Sequence, residues 1–270
     1  MKNIPFRKKL KIFLITVDEP FYIPIFLKVF LKEFNDITVG AAVLSPMPRK
    51  MSFWEYVYAH YRFYGTLFFA IQGVRYIFKR TLDLIHKTVK ICSPHSAQSY
   101  LVEYNIPVFN IKNVNNRKFL QELNCLDIDL IISIASSQIF RKRLLDLPNL
   151  GCINVHGSLL PNYQGVNPSF WALLGGERET GVTVHFMNEK IDRGRIILQR
   201  KFVISDVETL DSLSKKVAIE GAKAVSDAIC KISYGLERNL LPPQLEEGSY
   251  YSFPKAEDGR NFRAKGLRFL

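Results

Sequence analysis

Residues 151–165, GCINVHGSLLPNYQG, decide the reading of this chain. Cys152, Ile153 and Val155 form a short apolar run, with the polar residues Asn154 and His156 set two apart within it. In an extended chain, side chains two apart project from the same face. An amide and an imidazole therefore emerge side by side, just before the turn at Gly157 and Ser158. Strand ends of this kind are where open α/β sheets bind ligands. Such a pair can hydrogen-bond a developing oxyanion and move a proton.

Working outward, residues 129–134 (DLIISI) are an almost unbroken apolar run, as expected of a strand in the middle of a parallel sheet. Residues 11–17 read as a buried strand, 21–34 as an apolar helix with Pro24 near its start, and 37–44 as a second strand. That order predicts parallel strands joined by crossover helices. Residues 96–104 and 116–123 read as helices, 106–111 as extended, and 138–147 (QIFRKRLLDL) as helical. Beyond Gly165 the pattern predicts a helix over 167–174, a half-buried alternating strand over 180–186, a turn at 191–194, a strand over 195–204 and a helix over 207–231. From Tyr234 onward, Pro242, Pro243, Gly248 and Pro254 predict irregular chain. The fold class expected from this order is α/β, a mostly parallel sheet with flanking helices. One main domain over 1–233 is followed by a short C-terminal extension over 234–270.

A chain of 270 residues, 47% hydrophobic, can bury a full-sized core. Its net charge of +12 favours polyanionic partners: nucleic acid, acidic membrane surfaces, nucleotide sugars or a polyglutamylated cofactor. Neither G-x-G-x-x-G after the first strand nor G-x-x-x-x-G-K-[ST] occurs, so dinucleotide and ATP fingerprints are absent. Cys92, Cys125, Cys152 and Cys230 form no C-x-x-C, which argues against a zinc site and for reduced thiols in a cytoplasmic protein. The N-terminus has basic then apolar residues but meets Asp18, Glu19 and Pro20 where a leader would have a cleavage site. No uncharged run is long enough to span a bilayer. Residues 51–85 are aromatic and basic; they read first as a helical pair packing an aromatic face on the core, and second as a docking surface for a membrane, a second subunit or RNA.

The block from Asn154 to Pro161, followed by Tyr163, Gln164 and Gly165, resembles the signature loop of folate-dependent formyltransferases. That family includes enzymes acting on methionyl-tRNA, glycinamide ribonucleotide and amino sugars. Residues 181–185 (GVTVH) and 191–194 (IDRG) are similar to two further family blocks, and 129–133 to its preceding central strand. The likeness is strong from about 113 to 202. It implies a catalytic trio of Asn154, His156 and Asp192, with 10-formyltetrahydrofolate as formyl donor and no metal. Ser158, Leu159, Leu160 and Pro161 would line the donor pocket, with Ser136 and Ser137 closing another side. Gln164 departs from the family, where Arg is usual, and the segment after Tyr234 looks short for the C-terminal barrel of the tRNA enzyme.

In the mechanism so implied, Asn154 and a protonated His156 donate to the oxyanion, and Asp192 raises the His156 pKa by favouring the imidazolium. The expected acceptor is a small anionic amine, an amino sugar on a nucleotide carrier; methionyl-tRNA is the alternative. A formyltetrahydrofolate hydrolase and a non-enzymatic basic scaffold binding RNA or membrane stand behind these, and a homodimer is expected. His185 reads as a structural partner of the site, and His60, His86 and His95 have no suggestive company.

Overall fold

The computed structural model describes residues 10–235 and 248–270. Met1 to Lys9, and Pro242 and Pro243, lie outside the described residues. Seven strands form the main sheet: β1 (Ile12–Val17), β2 (Thr38–Leu44), β3 (Val108–Phe109), β4 (Leu130–Ile134), β5 (Cys152–His156), β7 (Glu179–Phe186) and β8 (Ile196–Val203). They lie in the order β3-β2-β1-β4-β5-β7-β8. The first five are parallel, while β7 runs antiparallel to β5 and β8 antiparallel to β7. This is an α/β, Rossmann-like, mostly parallel sheet. Strand order reverses between β1 and β4, and ligands of such sheets settle in the crevice outside the carboxyl ends at that switch.

Every residue of β1 and of β4 is buried, so both faces of the sheet centre are covered. On one face Phe13 meets Phe109 and Phe119, the latter on α5 (Arg117–Asn124), whose N-terminus Asn116 caps by accepting from Lys118 and Phe119 N–H. Two long helices, α1 (Ile23–Phe34) and α8 (Leu210–Ser233), pack on each other. α8 also covers β5 and β7, and it starts in a capping box of Thr209 and Ser212. The remaining helices of the sheet domain are α4 (Ala97–Glu103), α6 (Lys142–Leu145) and α7 (Pro168–Gly175).

Four expectations need correction. The 138–147 segment is helical only over α6, because Gln138 and Ile139 are drawn into the loop at 112–115: Gln138 Oε1 accepts from Val114 N–H and its Nε2 donates to Lys112 O. β7 is buried along six consecutive residues and so is no half-buried strand, since α8 covers it on one side and Leu159 packs at Gly181 on the other. The aromatic segment is a helical pair, α2 (Phe53–Tyr64) and α3 (Thr66–Val89), yet of its large apolar side chains only Phe63 is fully buried. The described part of the C-terminal extension is folded rather than irregular. Its strand β9 (Tyr250–Tyr251) pairs with β6 (Gln164–Gly165), and α9 (Ala256–Ala264) packs on α2.

That extension completes a second core of Phe63, Phe170, Leu173, Leu210, Leu213, Phe262 and Phe269. Phe262 stacks on Phe170 at 4.9 Å and on Phe269 at 4.8 Å. Arg263 donates to the carbonyls of Phe63 and Tyr64, which have no partner within α2 because the helix ends there. Phe262→Ala is expected to lower unfolding stability by about 3–5 kcal/mol, the range for truncating a fully buried phenylalanine. Urea unfolding of the full chain checks this, and a loss below about 1 kcal/mol would mean that the extension adds no core.

Candidate active site

β5 has a parallel neighbour on one side and an antiparallel one on the other, and this places the polar residues. Register sets Asn154 against Ser133 of β4 and against His185 of β7, and sets His156 against Thr183. His185 Nδ1 lies 2.8 Å from the carbonyl oxygen of Phe186, so that nitrogen must carry the proton and donate. Asn154 Nδ2 then donates to His185 Nε2 at 3.3 Å. By the same reasoning His156 Nε2 donates to the carbonyl of Tyr163 at 2.7 Å, leaving Nδ1 as the nitrogen with a lone pair.

Asp192 reaches these residues from the turn between β7 and β8. It adopts a left-handed conformation, with φ of 51°. Two residues on, Gly194 passes so close to the Phe186 carbonyl that any Cβ would overlap it. Asp192 Oδ2 accepts from Gly165 N–H at 2.8 Å and lies 3.6 Å from His156 Nδ1, while Oδ1 lies 3.7 Å from His185 Nε2. The Asn154 amide and His156 imidazole, two apart in sequence, meet the Asp192 carboxylate from a later turn, and His185 joins them.

The electrostatics differ from expectation at His156. Burial pushes its pKa below the ordinary 6.5 and outweighs the opposing pull of Asp192 and the Tyr163 carbonyl. The free ring is therefore neutral at neutral pH, not an imidazolium. For Asp192, burial acts upward, but the facing His185 and His156 rings and Gly165 N–H outweigh it and hold the carboxyl below its ordinary value.

These groups line a cavity of about 640 Å³ at the carboxyl ends of the strands. Ala135 to Phe140 after β4, Met187 to Asp192 after β7, and Tyr56, Ala59 and His60 on α2 form its other walls, with Tyr250 and Phe253 from the extension. A second cavity of about 430 Å³ shares Pro46 and Tyr56 with the first and contains Asp18, Arg80, Gln98 and Asn110.

Residues 85–229, more than half of the chain, match the family described as Formyl transferase. The chain belongs to that family. The chain is 30% identical over 208 residues to a methionyl-tRNA formyltransferase of Thermodesulfovibrio yellowstonii, covering 73% of this chain and 67% of the relative. It is 33% identical over 171 residues to a methionyl-tRNA formyltransferase of Staphylococcus aureus, covering 63% of this chain and 55% of the relative. The chain thus spans little more than half to two thirds of these relatives. In fold it is similar to an N-formyltransferase of Helicobacter canadensis, solved in complex with folinic acid and dTDP-3-aminofucose, with a TM-score of 0.57 and 19% identity over 94% of this chain and 80% of that one.

Within the 640 Å³ cavity the sequence-named residues divide. Asn154, His156, Asp192, Ser136 and Ser137 line it; Ser158, Leu159, Leu160 and Pro161 do not. These four form a buttress behind the site. Ser158 Oγ donates to Asn162 O at 2.7 Å. Thr183 Oγ1 donates to Ser158 O and accepts from Leu160 N–H, while Gln199 Nε2 donates to Leu160 O. The carbonyl that fixes His156 belongs to the loop they hold. His60, which had no suggestive company in sequence, sits in the wall with its ring 4.9 Å from that of Phe253. Its neighbour comes from nearly two hundred residues away, and no local signal announces it.

Two pH effects follow from the depressed pKa values. An unfolded His156 binds a proton near 6.5 that the folded ring resists, so stability falls as pH drops below about 6.5. Asp192, ionised in the fold below its ordinary pKa, adds a loss in the same direction at lower pH. NMR titration of the His156 ring should give a midpoint under 6.5, shifted further down in Asp192→Asn; a midpoint above 6.5 would refute the dominance of burial.

Proposed function

We propose that this chain transfers a formyl group from 10-formyltetrahydrofolate to the primary amine of a small anionic acceptor, an amino sugar on a nucleotide carrier. The observation that carries the reading is the meeting of Asn154, His156 and Asp192 at one wall of the 640 Å³ cavity. The donor fits the rest of the lining by its chemistry. Ile134, Ile139, Met187 and Ile191 offer apolar surface, and the loops they belong to, with Ser136 and Ser137, offer backbone and hydroxyl groups to the polar edge of a flat heterocycle. When bound, that donor supplies an activated formyl carbon. The Helicobacter canadensis structure, holding folinic acid and an amino-sugar nucleotide on the same fold, supports both halves of the assignment.

The chain's own residues have separable tasks. The Asn154 amide has two N–H groups; one is engaged by His185 and the other is left to donate where negative charge develops on the formyl oxygen. His156, neutral and with Nε2 pinned on Tyr163 O, presents Nδ1 as proton acceptor for the attacking amine. The imidazolium so formed lies 3.6 Å from the Asp192 carboxylate, which stabilises it. His185 orients Asn154 and faces the other Asp192 oxygen. The adjoining 430 Å³ cavity, where Arg80 and Asp18 form an ion pair beside Gln98 and Asn110, offers room and polar groups to the rest of a small acceptor.

Methionyl-tRNA is the second reading, favoured by what both sequence relatives are and by the net charge of +12. The purified chain is to be incubated with formyl-folate and, in turn, dTDP- and UDP-linked amino sugars and methionyl-tRNA. Formylated sugar nucleotide supports the first reading; formylated methionyl-tRNA alone establishes the second, and formate release without any acceptor points to hydrolysis. Asn154→Ala and His156→Ala should each lower kcat about 100-fold or more, as loss of one oxyanion donor or one acid–base group does. The wild-type rate should rise with pH through the depressed His156 pKa and level off above it. A loss below about tenfold in both variants would remove the trio from the chemistry.

A further inference from the structure

The helix α3 is built inside out. Its charged side chains turn toward the body of the protein: Arg75 pairs with Asp211 at 2.9 Å, Arg80 with Asp18 at 2.7 Å, Lys79 reaches His95, and the buried Asp83 accepts from His95 N–H. Phe68 packs on Phe269 in the second core, but most of the helix's large apolar side chains turn to solvent. Leu67, Val74, Ile77, Phe78 and Leu84 are between 61% and 68% exposed. From 67 to 84 no exposed residue of the helix is charged. A helix on the surface of a water-soluble protein does the reverse, laying its apolar stripe on the core and its charges outward. Leu67, Ile71, Val74 and Phe78 recur at helical spacing, and α3 runs for 24 residues, about 36 Å. Such a contiguous apolar face marks a docking surface. Beside it α2 exposes Phe53, Tyr58 and Trp54, the last at 75%.

The surrounding charge selects the occupant. Between residues 49 and 91 the exposed charged side chains are Arg49, Lys50, Arg62, Lys87 and Lys90, against Glu55 alone; Lys87 is held by the buried Asp83 at 3.1 Å, which leaves four cations toward solvent. Glu55 is already used in the N-terminal capping box of α2. A second copy docked face to face would set these cations against one another. An anionic bilayer would pair them with phosphate while receiving the aliphatic stripe among its acyl chains, and Trp and Tyr side chains favour that boundary. Among the described residues no helix is long and apolar enough to cross a membrane, so the helix would lie in the surface plane.

We propose that the outer face of α2 and α3 docks on an anionic phospholipid surface, with the α3 stripe immersed and Trp54 and Tyr58 at headgroup level. The inner side of α2 lines the catalytic cavity through Tyr56, Ala59 and His60, so one helix borders both the membrane and the site.

Co-sedimentation of the full chain with vesicles tests this without any turnover, and so independently of the formyl-transfer reading. The wild-type chain should pellet with phosphatidylcholine vesicles containing one third phosphatidylglycerol, far less with phosphatidylcholine alone, and progressively less as salt rises. Val74→Glu/Phe78→Glu changes only side chains already in water, so circular dichroism should show an unchanged fold while vesicle binding is lost. Lys50→Glu/Lys90→Glu should weaken binding at least about fivefold per cation removed. The proposal is overturned if the wild-type chain stays in the supernatant with the anionic vesicles, or if Val74→Glu/Phe78→Glu binds them equally well. A dimer in sedimentation velocity that those same substitutions dissolve would also overturn it, by giving the face to a second copy.

Discussion

The buried carboxylate of Asp192 is the constraint around which the catalytic end of this protein is arranged. A charge taken out of water must find partners, or it shifts its pKa and neutralises. Asp192 accepts from the N–H of Gly165 and is flanked by the rings of His156 and His185, the first of which pairs with it as the imidazolium. Meeting them requires a left-handed backbone at Asp192 and a residue without a side chain at Gly194, where the turn grazes the carbonyl of Phe186. The turn between β7 and β8, the end of β5 and the small β6–β9 sheet are thereby tied to one another through a single charged group.

The change of strand direction at β5 makes that group useful. With β4 parallel on one side and β7 antiparallel on the other, Asn154 stands opposite His185 in a pairing that an all-parallel sheet would not create. The amide is oriented by an imidazole whose own tautomer is fixed by a backbone carbonyl. His156 is fixed in the same way through the loop that Ser158, Thr183 and Gln199 hold together. A base and a donor set by packing and by a second layer of hydrogen bonds lose little freedom when the reaction needs them.

The additions to the sheet domain serve the same cavity. α2 lines one wall with Tyr56 and His60, and the C-terminal segment lines another with Tyr250 and Phe253 while anchoring its own helix in the second core. α3 contributes charge to the interior and apolar surface to the exterior, the opposite of a water-soluble helix.

The sequence by itself determined the alternation of parallel strands and helices in the core, the placement of Asn154 and His156 on one face, and the turn that carries Asp192. Each of these is written in short-range pattern: period-two alternation, an apolar run, a glycine after an aspartate. Only the tertiary structure decided the protonation of His156, because desolvation by segments distant in sequence outweighs the one carboxylate that the motif names. It also moved Ser158–Pro161 from the pocket to the scaffold behind it and brought His60 beside Phe253. The outward turn of the α3 apolar face belongs with these, since periodicity shows that a helix has two faces but not which one meets water. Burial is a property of everything that packs around a residue, and no local stretch of chain contains it.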